Sequence, residues 1–576
     1  MIVSSIIQEL STVVELLNER SLLTPNRIAF TYREGDHESM LTYHDLAVRS
    51  KRVAASIALV SKPGDRVGLL HASGFEFVVS FFACLYSRTV VVPLEIPKPS
   101  ENLFKMQSAV AMAGISVIVT SSPVLEHVTN LMDEEEGLSS LHWLSIDEMD
   151  DIPFVAMEAN PHEAAFVQFT SGTTSTSKGV VLSHDNLLHN VRNVSRKHGL
   201  TENDSAVIWL PLYHNLGLIG GVLAPLYAGL PVHLISPQEV LRRPALWLEI
   251  ISEKRATVSG GPNFAFDLCL AHVTSEELQR LDLSSWEIAF SGAEPVRSRT
   301  IEGFAQKFAA AGFRRNAFYP CYGLAESTLI VSGGTREDNP KLLHCDPAAL
   351  EQNRVEEATV DLEEARTLVG CGQPVDEQDL VIVDAKTNNV LPENAIGEIW
   401  LRSRSVALGY LNDEQRTSET FDQILASGEG DYMRTGDTGF LRDGELYIVG
   451  RLKNLLIVRG KNFYANDLEA YVQSLHPAFH AGAAFSVEAE EEERIVILQE
   501  IEGELEGQAR ETILRSIKQG LVSQYGIAPH DIVLVASGTL PRTVSGKIKH
   551  YDCKARYLGG ELEVLGGQQA IGGTTR

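Results

Sequence analysis

The sequence predicts an α/β protein with a large, multi-lobed N-terminal domain and a small α+β domain at its C-terminal end. Three observations carry this prediction. Short apolar runs alternate with helical patterns through the first 330 residues. Strands with tight turns replace that alternation near 380–450, and beyond about residue 455 a helical segment and two further strand runs form a separate unit. The chain has 576 residues, too many for one compact core, so roughly three or four lobes are expected.

The start of the chain lacks a basic leader and carries Glu9 and Glu15. Ile6, Leu10, Val13, Val14 and Leu17 recur at helical spacing, which predicts an amphipathic surface helix and not a signal peptide. Residues 75–93 are the longest apolar stretch, but Glu76 and Arg88 interrupt it, so no membrane span is expected. Buried strands are predicted at 67–70, 90–92, 117–120, 165–169, 206–210 and 232–235. Helical segments separate them, the pattern of two layered α/β subdomains with a mainly parallel sheet. Runs at 380–383, 397–401 and 446–449, with the hairpin dipeptide Asp443-Gly444, predict a β-rich subdomain. A helix at 466–475 and strands at 483–487 and 494–500 follow, with a solvated Glu-rich hairpin tip at 488–493. The Gly-rich tail 566–576 is expected to be disordered.

A formal net charge of −27 disfavours nucleic acid and anionic membrane surfaces as partners. Cys84, Cys269, Cys321, Cys345, Cys371 and Cys553 lie far apart with no metal-ligand spacing. Free thiols and a cytoplasmic location are expected.

The most informative stretch runs from Thr170 through Ser171, Gly172, Thr173 and Thr174 to Ser177, Lys178 and Gly179. Glycines let backbone N–H groups approach phosphate oxygens, hydroxyls donate to them, and Lys178 adds charge. The order Lys-Gly leading into a strand differs from a Walker loop, in which Gly-Lys-Ser/Thr leads into a helix. Taken alone, the run also fits an ordinary flexible loop.

Four further segments follow in order: Tyr322-Gly-Leu-Ala-Glu-Ser327, Tyr432-Met-Arg-Thr-Gly-Asp437, Gly450-Arg-Leu-Lys-Asn454 and Pro541-Arg-Thr-Val-Ser-Gly-Lys547. With the hydroxyl loop they resemble the motifs of the adenylate-forming superfamily, which includes acyl-CoA synthetases, luciferases, nonribosomal-peptide adenylation domains and fatty acyl-AMP ligases. Within it, Trp209 to Gly221, Ser259 to Asp267, Gly292-Ala-Glu-Pro-Val296 and Pro320 to Thr328 most resemble the fatty acyl-AMP ligases.

The resemblance implies an ATP-dependent ligase that converts a fatty or related carboxylic acid into its acyl-adenylate with Mg²⁺. The acyl group would then pass to the phosphopantetheine thiol of an acyl carrier protein. ATP would be held by Thr170, Ser171, Gly172, Thr173, Thr174, Lys178, Gly292, Ala293, Glu294, Tyr322, Gly323, Leu324, Asp437 and Arg451. Tyr322 would stack on adenine, Glu326 would help hold Mg²⁺, Asp437 would accept from the ribose hydroxyls, and Lys547 would be the catalytic lysine. His214 joins Glu326 and Lys547 as a catalytic candidate. Leu216, Leu218, Phe264 and Phe266 are candidates for the acyl tunnel, each also compatible with ordinary core.

The same resemblance divides the chain into an adenylation domain at 1–450, a hinge at 451–456 pivoting at Lys453, and a mobile cap at 457–565. An insertion at about 334–369 is linked in that branch to poor use of coenzyme A. The basic cluster Arg542, Lys547, Lys549, Lys554 and Arg556 is a candidate dock for an acidic carrier protein, or a solvated basic tail. Three positions depart from the family pattern: Ser177 and Ala465 stand where Pro is usual, and Asn215 where Asp is common. An acyl-CoA ligase on the same fold, and a catalytically silent nucleotide-binding protein, are the alternative readings.

Overall fold

The computed structural model describes all residues except 1–6, 8, 36, 98–102, 132–137, 139, 171–177, 351, 359–364, 459–460, 490–491, 504–507, 543–546 and 566–576. Two large sheets carry the two α/β layers. The first has nine strands. Its central strands Phe318–Gly323, Ile288–Ser291, Val258–Gly261, Ala206–Ile208, Val232–Ile235 and Ile28–Glu34 run parallel. Ile288–Ser291 and Val258–Gly261 are buried along their whole length, as strands covered on both faces must be. The helix Ser298–Phe308 buries Thr300, Ile301, Phe304 and Phe308 along one side, the spacing of a single packed face.

The second sheet has seven strands. Ala164–Thr170, Val90–Pro93, Arg66–Leu70, Val117–Thr120 and His142–Ser145 are parallel, and Lys178–Ser183 returns antiparallel to Ala164–Thr170. The hydroxyl-rich segment therefore connects two antiparallel neighbours, which is why Lys178 opens a strand and not a helix. Gly409–Tyr410 then pairs with Lys178–Ser183 from a distant part of the chain.

A four-stranded antiparallel sheet of Gln378–Val383, Gly397–Ser403, Met433–Arg442 and Glu445–Arg451 forms the predicted β-rich part. After Arg451 a single 3₁₀ turn, Leu452–Asn454, leads to the hairpin Leu455–Val458 and Lys461–Tyr464. The helix Ala465–Ser474 begins at Ala465, the N1 position, which tolerates Pro and Ala alike. The last sheet joins Phe479–Ala489, Glu492–Ile501 and Asp531–Ala536. Glu488 pairs with Glu493 and Ala489 with Glu492, so the acidic tip is a hairpin as expected. Apolar clusters of this unit's own residues lie around it, one with Leu468, Ile497 and Ile517, the other with Phe485, Leu498 and Tyr557. Arg366 bridges to this unit: it pairs with Asp467 at 2.8 Å and lies over the Tyr464 ring at 5.2 Å.

Ile6 lies outside the described residues. The helix Val13–Leu23, capped by Thr12 and Glu15, corrects the sequence reading of a surface helix. It is packed rather than superficial: Val13, Val14, Leu16 and Leu17 are buried, and buried Arg20 donates to the carbonyls of Leu226 and Tyr227. The Arg20 head satisfies the open end of the neighbouring helix, which hydropathy alone cannot reveal. Among the described residues no helix is long and apolar enough to cross a membrane. All six cysteines are free.

Buried histidines give the fold a definite acid sensitivity. Burial lowers His71 to about 3 and His184, His198 and His233 to about 4. Unfolded, each takes up a proton below its ordinary value near 6.5, while the folded rings stay neutral. The stabilisation is complete above pH 6.5 and is lost as pH falls toward 4, at up to about 1.4 kcal/mol per unit for each ring. The urea midpoint is expected to fall steadily between pH 6.5 and 4.5; a flat midpoint would refute the account.

Candidate functional site

Thr170 and Tyr322 lie at or near the carboxyl ends of parallel strands, where open α/β sheets bind ligands. The segments 432–437 and 450–454 belong instead to the antiparallel four-stranded sheet and the turn after it. Thr170 ends one strand and faces Lys178 across the hairpin register. Ser171, Gly172, Thr173, Thr174 and Ser177 lie outside the described residues. The Lys178 ammonium sits 4.4 Å from the centre of the Tyr410 ring and 3.3 Å from its hydroxyl. Burial pushes this lysine below its usual value, opposed by Glu326 and reinforced by Lys453, Arg416 and Arg451.

Gly292 follows the strand Ile288–Ser291, and a Cβ there would lie 2.9 Å from the Cys321 carbonyl oxygen. Ala293 has φ +68°, a costly conformation for a residue with a Cβ, and one that concentrates at functional sites. Glu294 follows, and its Oε1 is buried with no hydrogen-bond partner among the described residues. His214 Nε2 is in the same condition. Unpaired buried polar atoms are rare enough to mark a place where a ligand completes the bonding. Burial, then the charge of Lys547, holds His214 down to about 4, so the ring is neutral at pH 7.

Tyr322 lies near the end of the strand Phe318–Gly323. Gly323 cannot be replaced there, because a Cβ would meet the Leu329 carbonyl oxygen at 1.7 Å. Leu324 is extended and leads into a 3₁₀ turn, Ala325–Ser327, that carries Glu326. The Glu326 Oε1 accepts from the Tyr410 hydroxyl at 2.8 Å. The turn is fixed from behind by Asn190, whose buried amide donates to the carbonyls of Ser327 and Ile330 and accepts from the Ile330 N–H.

Asp437 and Arg451 lie opposite each other on neighbouring antiparallel strands. Arg451 Nε donates to Asp437 Oδ1 at 2.8 Å, and the Tyr322 hydroxyl donates to Asp437 Oδ2 at 2.7 Å. Asp437 raises the Arg451 guanidinium above its ordinary value and, after burial, the Tyr322 phenol too. The turn before Asp437 is supported by buried Glu398, which accepts from the Gly436 N–H at 3.2 Å and pairs with Arg434 at 2.7 Å.

Lys547 comes from the C-terminal unit and reaches this same cleft. Burial and Arg451 lower its ammonium, while Glu294 and Asp437 act the other way. The side chain still meets solvent, so it stands between protein walls and is not enclosed by them. Lys453 lies in the turn between the β-rich sheet and the C-terminal unit.

Several expectations change. Leu218 and Phe266 have no solvent-accessible surface, and Phe266 is packed among Trp247, Trp286, Phe304 and Phe318. Both belong to the core and line no open channel; Leu216 and Phe264 are only partly buried. Arg542, in the basic cluster, pairs with buried Glu500 at 2.5 Å while its side chain stays 35% exposed. Lys549 pairs with Asp552 at 3.5 Å. Asn215 caps the following helical segment and donates to the Thr328 carbonyl at 3.3 Å, so it supports the loop after Glu326. Tyr410, Glu398 and Asn190 were missed in the sequence. For Tyr410 the signal is weak, a Gly409-Tyr410 pair whose glycine has φ +136°; the other two give none.

A cleft of this kind, at the switch from α/β layers to a β-rich sheet and a terminal cap, defines an adenylate-forming enzyme. A family model described as AMP-binding enzyme matches residues 17–411. The chain is 36% identical over 573 residues to the medium-chain-fatty-acid–[acyl-carrier-protein] ligase JamA of Moorena producens, covering 96% of each chain. A similarly named ligase, TtuA of Teredinibacter turnerae, is 31% identical, covering 92% of this chain and 91% of that one. Among solved structures, a fatty acyl-adenylate ligase from Legionella pneumophila in complex with acyl adenylate and pyrophosphate is 34% identical. It has a TM-score of 0.76 and covers 98% of this chain and 99% of that chain. The chain belongs to the AMP-binding enzyme family, and these full-length relatives place it beside the fatty acyl-AMP ligases.

Proposed function

We propose that this chain activates a medium-chain fatty acid as its acyl-adenylate, releasing pyrophosphate, and passes the acyl group to the phosphopantetheine thiol of an acyl carrier protein. One observation carries the reading. Asp437, reached by both Tyr322 and Arg451, shares a cleft with a lysine supplied by the C-terminal unit. The medium chain length and the carrier acceptor follow the two named ligases.

The chemistry needs positioning more than a protein nucleophile. Holding the carboxylate in line with the α-phosphate contributes about 7–11 kcal/mol. Lys178 and Lys547 supply fixed positive charge where the phosphates gain negative charge. Asp437 orients the ribose and the Tyr322 ring packs on the base. Neutral His214 offers a polar ring beside Lys547 without adding a second cation.

Mg²⁺ is compatible with this donor set. Among the described residues there is no group of three His, Cys, Asp or Glu able to hold an ion. Mg²⁺ ordinarily binds through one or two carboxylates plus substrate phosphates, which matches Glu326 held by Tyr410. When bound, it neutralises charge on the phosphate oxygens. Tyr410→Phe keeps the ring beneath Lys178 but removes the donor to Glu326. A loss of about tenfold in kcat/KM for ATP, with an unchanged melting temperature, is expected. Undiminished pyrophosphate exchange at limiting ATP would count against this role.

The unit boundaries follow the same reading: an adenylation domain at 1–450, a hinge at 451–456 and a cap at 457–565. The 334–369 segment contributes Arg366, whose pairing with Asp467 ties the cap to the β-rich sheet. That tie supports a restrained cap and hence a carrier acceptor over coenzyme A. The deciding assay gives acid, ATP and Mg²⁺ together with either holo carrier protein or coenzyme A. Acyl transfer to the carrier alone is expected. Efficient acyl-CoA formation would favour the alternative ligase, and no ATP consumption with any acid from C4 to C18 would end the reading.

A further inference from the structure

The loop that presents Lys547 is held by two carboxylates, one on each stem. At its neck the Lys549 N–H donates to the Pro541 carbonyl at 2.8 Å, and Arg542 bridges to Ile548. On the incoming stem, fully buried Glu500 accepts from the Leu540 N–H at 2.8 Å and from Arg542 at 2.5 Å. On the outgoing stem, His550 Nε2 meets Glu469 Oε1 at 2.5 Å, and the same oxygen accepts from the Ala484 N–H at 2.8 Å. A carboxylate accepts only, so Nε2 carries the proton.

We propose that Glu469 and His550 are a positioning pair for acyl-adenylate formation, fixing the outgoing stem so that Lys547 is held in the cleft. The inference rests on the proposed role of Lys547. His550 lies three residues beyond Lys547 and opens the helix His550–Gly559. Glu469 lies on the helix Ala465–Ser474, and Ala484 on the strand Phe479–Ala489. The pair therefore joins the lysine loop to both the helix and the sheet of the cap. Without it, the outgoing stem would lose this tie to the cap's helix and sheet, leaving the neck contacts and the Glu500 side.

The contact also responds to pH. Burial lowers His550, but Glu469 outweighs it and holds the imidazole above its ordinary value. Glu469, on the packed helix, is the charged group that acts on His550 and, after burial, also raises Asp467. Lys549, Asp552, Cys553 and Arg556 lie on or next to the helix of His550. Glu500 reaches the same region from the central strand. The ion pair is intact below pH 6.5 and weakens as pH rises through the raised value of His550.

The test measures both half-reactions in the full chain. Pyrophosphate exchange reports adenylation, and transfer from supplied acyl-AMP to holo carrier protein reports the second step. His550→Ala and Glu469→Gln are expected to slow exchange about 10- to 100-fold, the scale of a misplaced catalytic group, with transfer within about twofold of the parent. His550→Arg keeps a cation facing Glu469 and is expected to restore exchange and extend its alkaline limb. In a Lys547→Ala background, His550→Ala is expected to add no further loss, because it acts only through that lysine. Equal losses in both half-reactions, or a full additional loss in that background, would overturn the proposal. If Lys547→Ala abolishes exchange while His550→Ala does not, the pair alone falls. If Lys547→Ala leaves exchange intact, the role of the lysine falls first.

Discussion

Replacing Lys547 by Ala is expected to slow acyl-adenylate formation by about 10²–10³-fold, the loss that follows removal of one fixed electrostatic donor. The side chain meets solvent and comes from the C-terminal unit, so its truncation opens no cavity in an apolar core. The melting temperature should therefore hold. Lys547→Arg restores the charge on a longer, planar head and should recover only part of the rate. Transfer from supplied acyl-AMP should proceed normally, because that step needs a thiol route and not this ammonium. Exchange at the parent rate in Lys547→Ala would remove the central element of the mechanism.

Asp437→Ala is the second large effect. In the free protein Asp437 accepts from the Tyr322 hydroxyl and from Arg451. Facing ATP, it would accept from two ribose hydroxyls. Hydrogen bonds to a charged acceptor are each worth about 1.5–3 kcal/mol, so losing two predicts roughly 10²–10⁴-fold in kcat/KM for ATP. Asp437→Ala also removes the carboxylate that accepts from the buried Tyr322 hydroxyl, at a cost of about 1–3 kcal/mol in stability. The 2′,3′-dideoxy analogue of ATP separates the two effects. The parent enzyme should discriminate strongly against it, and Asp437→Ala should use both nucleotides equally poorly. Continued discrimination by the variant would show that another group reads the ribose.

Asp437 and its partner Tyr322 lie in short motifs whose local form is dictated by neighbours in the chain. Gly323 is required because no Cβ fits against the Leu329 carbonyl, and the turn before Asp437 uses Gly436 at φ +71°. Such constraints leave a readable mark at fixed spacing. Leu218 and Phe266 show the opposite case: their apolar character fits a tunnel wall and a core equally, and only packing decided for the core. The burial of the helix Val13–Leu23 was missed for a related reason, since its periodic residues fit a surface stripe and a packed helix alike.

By itself the sequence determined the α/β class and the change to a β-rich part, because strand length and turn chemistry are local properties of the chain. Lys178, Glu326, Asp437, Arg451 and Lys547 were singled out by the resemblance of their motifs, and their roles are proposals. Only the tertiary structure decided that Tyr410 holds Glu326 across 84 residues and that Asn190 holds the loop after it across 140. It likewise decided that Glu469 and His550 meet across 81 residues. Contacts at that separation depend on which strands and helices become neighbours, and side-chain chemistry along the chain carries no period that records it.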